Sequence, residues 1–148
     1  AERATWAAVD WIGERIAAER IDCGFAKGGI LSVARNEAQE ARIRAHENDL
    51  LAYAQNKLRE ISLLRIIGTA KDKGPIVAFE MKGAHPHDIA TIIDRSGIAV
   101  RAGTHCVMPL LQRYGVTATC RASFALYNTR EEIDSLAKAL VKAQDIFA

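Results

Sequence analysis

Residues 101–129 of the chain are RAGTHCVMPLLQRYGVTATCRASFALYNT, and this stretch carries the signals that decide the fold. Residues 119–124, TCRASF, are strand-like and predict a strand. Pro109 predicts the first turn of a short helix, because proline is tolerated there. Residues 129–132, TREE, form a capping box that predicts the start of a last helix. The glycine-containing segment 103–106 is predicted to be a loop.

Further elements are predicted on the N-terminal side of this stretch. Asn36 is a candidate N-cap for a long helix. Strands are predicted at 63–67, 75–81 and 98–101, and a helix at 88–95 that is entered through Pro86 and ended by Gly97. The resulting order of helices and strands predicts an α/β fold of the α+β type. We expect a small mixed or mostly antiparallel sheet that is covered by helices on one face.

The composition is that of a soluble globular protein. The chain has 148 residues, 49% of them hydrophobic, so it can bury a core of one ordinary domain. Its formal net charge is +2 with both signs interspersed, which gives no electrostatic footprint for nucleic acid. No apolar run has the length of a membrane helix, and no secretory signal is visible. We therefore expect a cytoplasmic protein without membrane partners.

The three cysteines are Cys23, Cys106 and Cys120. Their odd number and the absence of CxxC spacing argue against a disulfide framework and against a structural zinc site. Cys106 follows His105 on the predicted loop and precedes a predicted helix, and cationic groups and helix N-termini lower the pKa of a thiol. From spacing alone, a packed loop cysteine is slightly favoured over a nucleophile. Cys120 lies next to Arg121 on the predicted strand, and the side chains of adjacent strand residues point to opposite faces. We therefore expect Cys120 to point into the core.

Two pairs of sequence blocks carry a resemblance to a known family. Residues 101–109 and 121–129 stand at a characteristic separation, and HENDL at 46–50 and HPHDIAT at 85–91 precede them. These blocks resemble the C-terminal small domain of group II (Suf-type) cysteine desulfurases, within the class V aminotransferases. The resemblance covers residues 43–148.

The resemblance implies the small domain of a fold-type I pyridoxal-phosphate (PLP) enzyme. Such enzymes transfer the sulfur of L-cysteine to a loop cysteine as a persulfide, release L-alanine, and serve iron–sulfur cluster assembly. Cys106 matches the nucleophile, Arg121 the arginine that clamps the substrate carboxylate, and Arg101 an arginine that borders the active site. His105 and Thr104 neighbour the site. The family often has a histidine where Thr104 stands, so no proton role is expected there.

The resemblance also sets expectations about cofactor and partners. PLP is the cofactor of the parent family, but no lysine here stands in the family's Ser-x-His-Lys context. We therefore expect a truncated or chimeric chain that alone binds no PLP and is inactive. The expected partners are L-cysteine, a sulfur-acceptor protein and further copies of the chain. Two alternatives remain open: a stand-alone sulfur-accepting or docking module without PLP chemistry, and a folded product without activity.

Residues 1–42 show no match to the desulfurase pattern. They predict an amphipathic helix at 1–18, a turn at Gly28–Gly29 and a short strand at 30–34. They weakly resemble a segment of FAD-dependent amine or amino-acid oxidoreductases. They lack the GxGxxG fingerprint, so no flavin is expected. We predict a division into a foreign helical extension at 1–42 and the desulfurase small domain at 43–148.

Arg121 and the His85–Pro86–His87 triplet have competing interpretations. The planar guanidinium of arginine suits bidentate binding of a carboxylate, whereas most arginines form surface salt bridges. For Arg121 the directed site is favoured, because a predicted buried residue follows it on the strand. Two histidines without further ligands make a poor metal site, so His85 and His87 are predicted to mark a helix entry.

Overall fold

The computed structural model describes residues 36–71 and 73–147, together with the isolated positions 11, 14, 15 and 18. The chain forms two compact units, residues 1–34 and 35–148. In the first unit the four described residues are helical, and the Arg15 guanidinium lies 5.9 Å from the ring centroid of Trp11. The turn and strand predicted at 28–34, and Cys23, lie outside the described residues.

Within the described part of the second unit, four helices and four strands follow one another in the predicted order. They are α1 (Glu37–Arg59), β1 (Leu64–Ile67), β2 (Ile76–Met81), α2 (Pro86–Asp94), β3 (Arg101–Gly103), α3 (Met108–Arg113), β4 (Thr119–Ser123) and α4 (Arg130–Phe147). Among the described helices, none combines the length and the apolar character that crossing a bilayer requires.

The four strands form one sheet in the order β1-β2-β4-β3, and every neighbouring pair is antiparallel. This confirms the predicted small, mostly antiparallel sheet. The central strand β4 pairs with β2 through Ala78 opposite Arg121, and with β3 through Arg101 opposite Arg121. Arg121 therefore has a strand neighbour on each side.

One face of the sheet is apolar and is covered by helices. Alternate residues of β2 are buried, as the two-residue period of a strand requires. Helix α1 packs on α4 and β1, and α2 packs on α4, β3 and β4. The largest fully buried side chains are Phe79, Leu50, Leu58, Ile89, Ile93, Ile133, Leu140 and Val77. The opposite face, which carries Arg121, is left for other contacts.

The helix caps predicted at Asn36 and at residues 129–132 are both confirmed. The side chain of Asn36 accepts a hydrogen bond from the Gln39 amide at 2.9 Å, which caps α1. At α4 the Glu132 amide donates to the Thr129 hydroxyl oxygen at 3.3 Å, and the Thr129 amide donates to the Glu132 carboxylate at 3.1 Å. This reciprocal pair is the capping box that the sequence predicts.

The third strand lies further along the chain than predicted. The prediction placed it at 98–101 and the following loop at 103–106, but β3 spans Arg101–Gly103. After α2, Gly97 has a φ of +75°, and the amide of Ile98 donates back to the carbonyl of Ile93 at 3.3 Å. Ile98 is thus still part of the helix termination, so the prediction was wrong for residues 98–100. The strand begins only where β4 offers partners.

Candidate functional site

Two arginines lie side by side on the open face of the sheet. Arg101 and Arg121 are directly opposite in the β3–β4 pair, so their side chains project from the same face. Like charges in this arrangement are destabilising unless something separates or neutralises them. On the same face, Arg65 forms an ion pair with Glu80 at 2.6 Å. Within residues 36–71 and 73–147 no carboxylate pairs with Arg101 or Arg121.

Arg121 is half-buried, and its Nε atom is shielded from solvent without a hydrogen-bond partner among the described residues. Buried polar groups are normally satisfied, so such a group marks a position where a ligand or another chain would complete the contacts. An arginine pair without counter-charge is suited to bind an anion, and the planar guanidinium favours a carboxylate.

The segment between β3 and α3 holds Cys106 in a left-handed turn. His105 and Cys106 have φ angles of +52° and +60°, although neither is glycine. This conformation costs roughly 1–2 kcal/mol per residue, so the surroundings must stabilise it. The Val107 amide donates to the Thr104 carbonyl at 3.0 Å and closes the turn. The ring atom Nε2 of His105 contacts the Thr119 carbonyl at 3.0 Å.

This segment borders a depression of about 480 Å³. Its wall is formed by His85, His87, Arg101, Ala102, Gly103, Thr104, His105, Cys106, Thr117 and Ala118. Four of the residues predicted for the site therefore lie together: Arg101, Thr104, His105 and Cys106. Arg121 is not in the wall, but it lies on the neighbouring strand directly opposite Arg101.

His85 and His87 lie at this depression, which the sequence did not predict. His85 caps α2, because its Nδ1 accepts a hydrogen bond from the His87 amide at 3.3 Å. The two rings stack with centroids 5.4 Å apart. This confirms the predicted helix entry. Their place beside the Cys106 turn follows from α2 packing on β3, a long-range contact without a local sequence signal. The described residues bring together no group of three metal-ligating side chains.

The two described cysteines differ sharply in environment. Cys106 is exposed, whereas Cys120 is fully buried and its Sγ donates to the Pro86 carbonyl at 3.2 Å. Burial raises the pKa of the Cys120 thiol to about 12, so it stays protonated at neutral pH. Because the thiolate is the reactive form of cysteine, Cys120 is a core residue, as predicted. Of the two, only Cys106 is accessible to a substrate.

The model of the family Aminotransferase class-V matches residues 28–136. The chain belongs to the class V aminotransferase family. This confirms the family that the sequence blocks indicated. The match begins ahead of residue 43, where the predicted resemblance starts.

Among the curated class V relatives, a probable cysteine desulfurase of Xylella fastidiosa strain Temecula1 is 50% identical over 105 residues. That alignment covers 71% of this chain and 25% of the relative. A probable cysteine desulfurase of Halalkalibacterium halodurans is 42% identical over 146 residues, covering 97% of this chain and 34% of the relative. The chain thus spans about a quarter to a third of the length of these relatives.

Solved structures of class V enzymes share the fold. The cysteine desulfurase CsdA of Escherichia coli, in an S-sulfonic acid form, has a TM-score of 0.65 and 36% identity, covering 70% of this chain and 26% of that one. The apo cysteine desulfurase of Thermococcus onnurineus NA1 has a TM-score of 0.67 and 32% identity, covering 71% and 26%. The α/β fold is that of a fold-type I small domain, as predicted.

The comparisons also bear on residues 1–42. The alignment with the Halalkalibacterium halodurans relative covers 97% of the chain and so includes most of this segment. The expectation that residues 1–42 do not match the desulfurase pattern was therefore wrong. The resemblance to FAD-dependent oxidoreductases is not confirmed, and neither is the group II subtype. The division at residues 42 and 43 stays a prediction.

PLP is the cofactor that this family implies, and the depression can be tested for its fit. PLP enzymes use a lysine to bind the cofactor and an acidic or basic group facing its pyridine nitrogen. Among the described residues, those that form the wall of the depression include Arg101 as a basic group but no lysine that could bind the cofactor. These side chains do not fit PLP by themselves. They fit the thiol and anion-binding side of a substrate site.

Proposed function

We propose that this chain supplies the sulfur-accepting part of a PLP-dependent cysteine desulfurase that serves iron–sulfur cluster assembly. The observation that carries the proposal is the exposed Cys106, held in a left-handed turn in the same depression as Arg101. Arg101 faces Arg121 on the next strand, and neither pairs with a carboxylate among the described residues. The cysteine desulfurase relatives in the class V family support the same activity.

The sulfur transfer proposed for Cys106 exchanges one carbon–sulfur bond for one sulfur–sulfur bond. The Cys106 thiolate forms a bond to the sulfur of L-cysteine, and the bond between that sulfur and the substrate carbon breaks. The carbon keeps the electron pair and takes up a proton, which gives L-alanine and a Cys106 persulfide. The turn presents the thiol at the surface, where a sulfur-acceptor protein can then reach it.

Arg121 is proposed to bind the carboxylate of L-cysteine, and Arg101 to border the same position. The guanidinium can donate two parallel hydrogen bonds to one carboxylate. The buried, unpartnered Nε of Arg121 supports this role, because a bound carboxylate would satisfy it. Thr104 lies in the wall of the depression, but its hydroxyl is not expected to transfer a proton.

The decisive experiment uses the protein in which this sequence naturally occurs, with L-cysteine and added PLP. Cys106→Ser should abolish alanine release, whereas the matched control Cys120→Ser should retain it. Arg121→Met should raise KM for L-cysteine about 10- to 100-fold, because a hydrogen bond to a charged group contributes roughly 1.5–3 kcal/mol. Arg65→Met removes an arginine of the same sheet face that is already paired, so its KM should not change. Full activity of Cys106→Ser contradicts the proposal.

A second candidate function is a sulfur-accepting or docking module without PLP chemistry. The observation that favours it is the depression, whose described wall contains no lysine. We expect no PLP to be bound by this chain alone. An absorption spectrum with added PLP tests this: a featureless spectrum, combined with persulfide formation from an inorganic polysulfide, supports the second candidate. Absence of both leaves a folded chain without activity.

We also propose that copies of the chain associate in a cytoplasmic setting, through apolar side chains near the Cys106 turn. Met108 and Leu110, on the helix that follows this turn, are 58% and 51% exposed. Exposed apolar groups of this size favour contacts with other chains. Light scattering should show species larger than a monomer, and Met108→Ser with Leu110→Ser should reduce them. A monomer at high concentration contradicts this proposal.

A further inference from the structure

The turn that carries Cys106 is joined to the sheet by a side chain of its own. Nε2 of His105 lies 3.0 Å from the carbonyl oxygen of Thr119, the first residue of β4. A backbone carbonyl can only accept, so the hydrogen bond requires a hydrogen on Nε2. The contact connects the loop with the strand that also carries Arg121. The turn that carries Cys106 and the side chain of Arg121 are therefore both attached to β4.

This hydrogen bond excludes one role for His105 and indicates another. Because Nε2 donates to Thr119, it cannot accept a proton from the Cys106 thiol. The other ring nitrogen, Nδ1, is shielded from solvent and has no partner among the described residues. The half-buried ring is therefore placed as a support of the turn rather than as a base.

The backbone of the turn needs such a support. His105 and Cys106 both adopt positive φ, and consecutive non-glycine residues in this region persist only when their surroundings hold them. Histidine is among the residues that enter the left-handed region more readily. Its side chain then reaches back to the Thr119 carbonyl and fixes the turn in the same step.

We propose that His105 is a positioning residue for Cys106. Its hydrogen bond to Thr119 holds the turn in the conformation that presents the thiol at the depression beside Arg101. The inference rests on the proposed function, because positioning matters only if Cys106 accepts sulfur.

The test compares three variants in the protein in which the sequence occurs. His105→Gly keeps the positive φ without strain and removes the ring with its hydrogen bond, and comparison with His105→Gln separates the hydrogen bond from the loss of the side chain. We expect kcat to fall about 10- to 100-fold, because a misplacement of roughly 1 Å costs that much, while KM for L-cysteine stays unchanged. Amide exchange of residues 104–107 should accelerate. His105→Gln can still donate to Thr119 and should recover part of kcat.

His46→Ala is the matched control. The Nε2 of His46 also contacts a backbone carbonyl, that of Asn128 at 3.3 Å, but it lies outside the wall of the depression. Its kcat and the exchange of residues 104–107 should stay unchanged. If circular dichroism shows that His105→Gly does not fold, His105→Asn replaces it, since asparagine tolerates the left-handed region.

The outcomes separate this inference from the proposed function. Loss of activity in Cys106→Ser together with wild-type kcat in His105→Gly overturns the inference and leaves the proposed function standing. Equal losses in His105→Gly and His105→Gln also overturn it, because the donated hydrogen bond would then be irrelevant. Full activity of Cys106→Ser overturns the proposed function itself.

Discussion

At the scale of the residue, two cysteines of one small unit have opposite chemistry. Cys106 is exposed in a left-handed turn, and Cys120 is buried under α2 with its Sγ bonded to the Pro86 carbonyl. The alternation of side chains along a strand was enough to predict that Cys120 is a core residue. The left-handed φ of His105 and Cys106 could not be predicted, because neither residue is glycine and no local signal marks them.

This contrast predicts selective alkylation. In a Cys23→Ser background at pH 8, iodoacetamide should modify Cys106 and leave Cys120 unmodified. Burial raises the pKa of Cys120 to about 12, so the thiol stays neutral and shielded at this pH. Peptide mass spectrometry with and without urea checks this, since both cysteines should react once the protein unfolds. Rapid modification of Cys120 in the folded protein would show that the core is open.

Arg121 should limit the stability of the protein. Because Arg101 is directly opposite and no described carboxylate pairs with either, Arg121→Met removes a repulsion while keeping most of the apolar stem. We expect the free energy of unfolding to rise by about 0.2–1 kcal/mol, the range for cross-strand pairs. Urea denaturation at low and high salt measures this, and the gain should shrink with salt. A loss of stability would show that Arg121 supports the fold.

At the scale of the element, the N-terminus of α4 is held by capping side chains that the sequence predicts. The side-chain amide Nδ2 of Asn128 donates to the Glu132 carboxylate at 2.8 Å, and the backbone amide of Thr129 donates to it as well. Arg130 forms a bidentate contact with Asp49 of α1. The capping box was predictable because it is local, whereas the Arg130–Asp49 contact joins residues 81 positions apart.

These contacts make the start of α4 sensitive to acid. The hydrogen bond from the side-chain amide of Asn128, and then that from the backbone amide of Thr129, lower the pKa of Glu132. The hydrogen bond from Arg130 lowers the pKa of Asp49. A carboxylate with a lowered pKa stabilises the folded state above its unfolded pKa, and this stabilisation is lost as the pH falls through the folded pKa. The loss therefore sets in below about pH 4.3, the ordinary pKa of glutamate.

Two substitutions test this helix start. Thr129→Ala should lower the free energy of unfolding by about 1 kcal/mol at neutral pH, because it removes the capping hydroxyl. Glu132→Gln keeps an acceptor for the Thr129 amide, so its stability should depend less on pH below about 4.3. Urea denaturation between pH 3 and pH 7 measures both. An unchanged pH dependence in Glu132→Gln would exclude Glu132 as a source of the acid sensitivity.

At the scale of the whole molecule, the sequence predicts the fold class and the element order of the unit 35–148, because hydrophobic period and turn residues are local signals. The pairing of the strands cannot be predicted from such local signals. That Arg101 faces Arg121, and that His85 and His87 reach the Cys106 turn, depends on contacts between distant segments. The candidate site residues are therefore predicted from the resemblance of sequence blocks, and only the structure shows how they are arranged.

The role of Cys106 as the sulfur acceptor is tested by locating the transferred sulfur. The protein in which this sequence occurs is incubated with PLP and L-cysteine that carries a sulfur isotope, and its peptides are analysed by mass spectrometry. We expect one labelled sulfur on the peptide with Cys106, and about 10- to 100-fold slower labelling in Arg121→Met at low substrate concentration. Labelled sulfur on the Cys120 peptide, or alanine released without any sulfur on Cys106, would contradict this role.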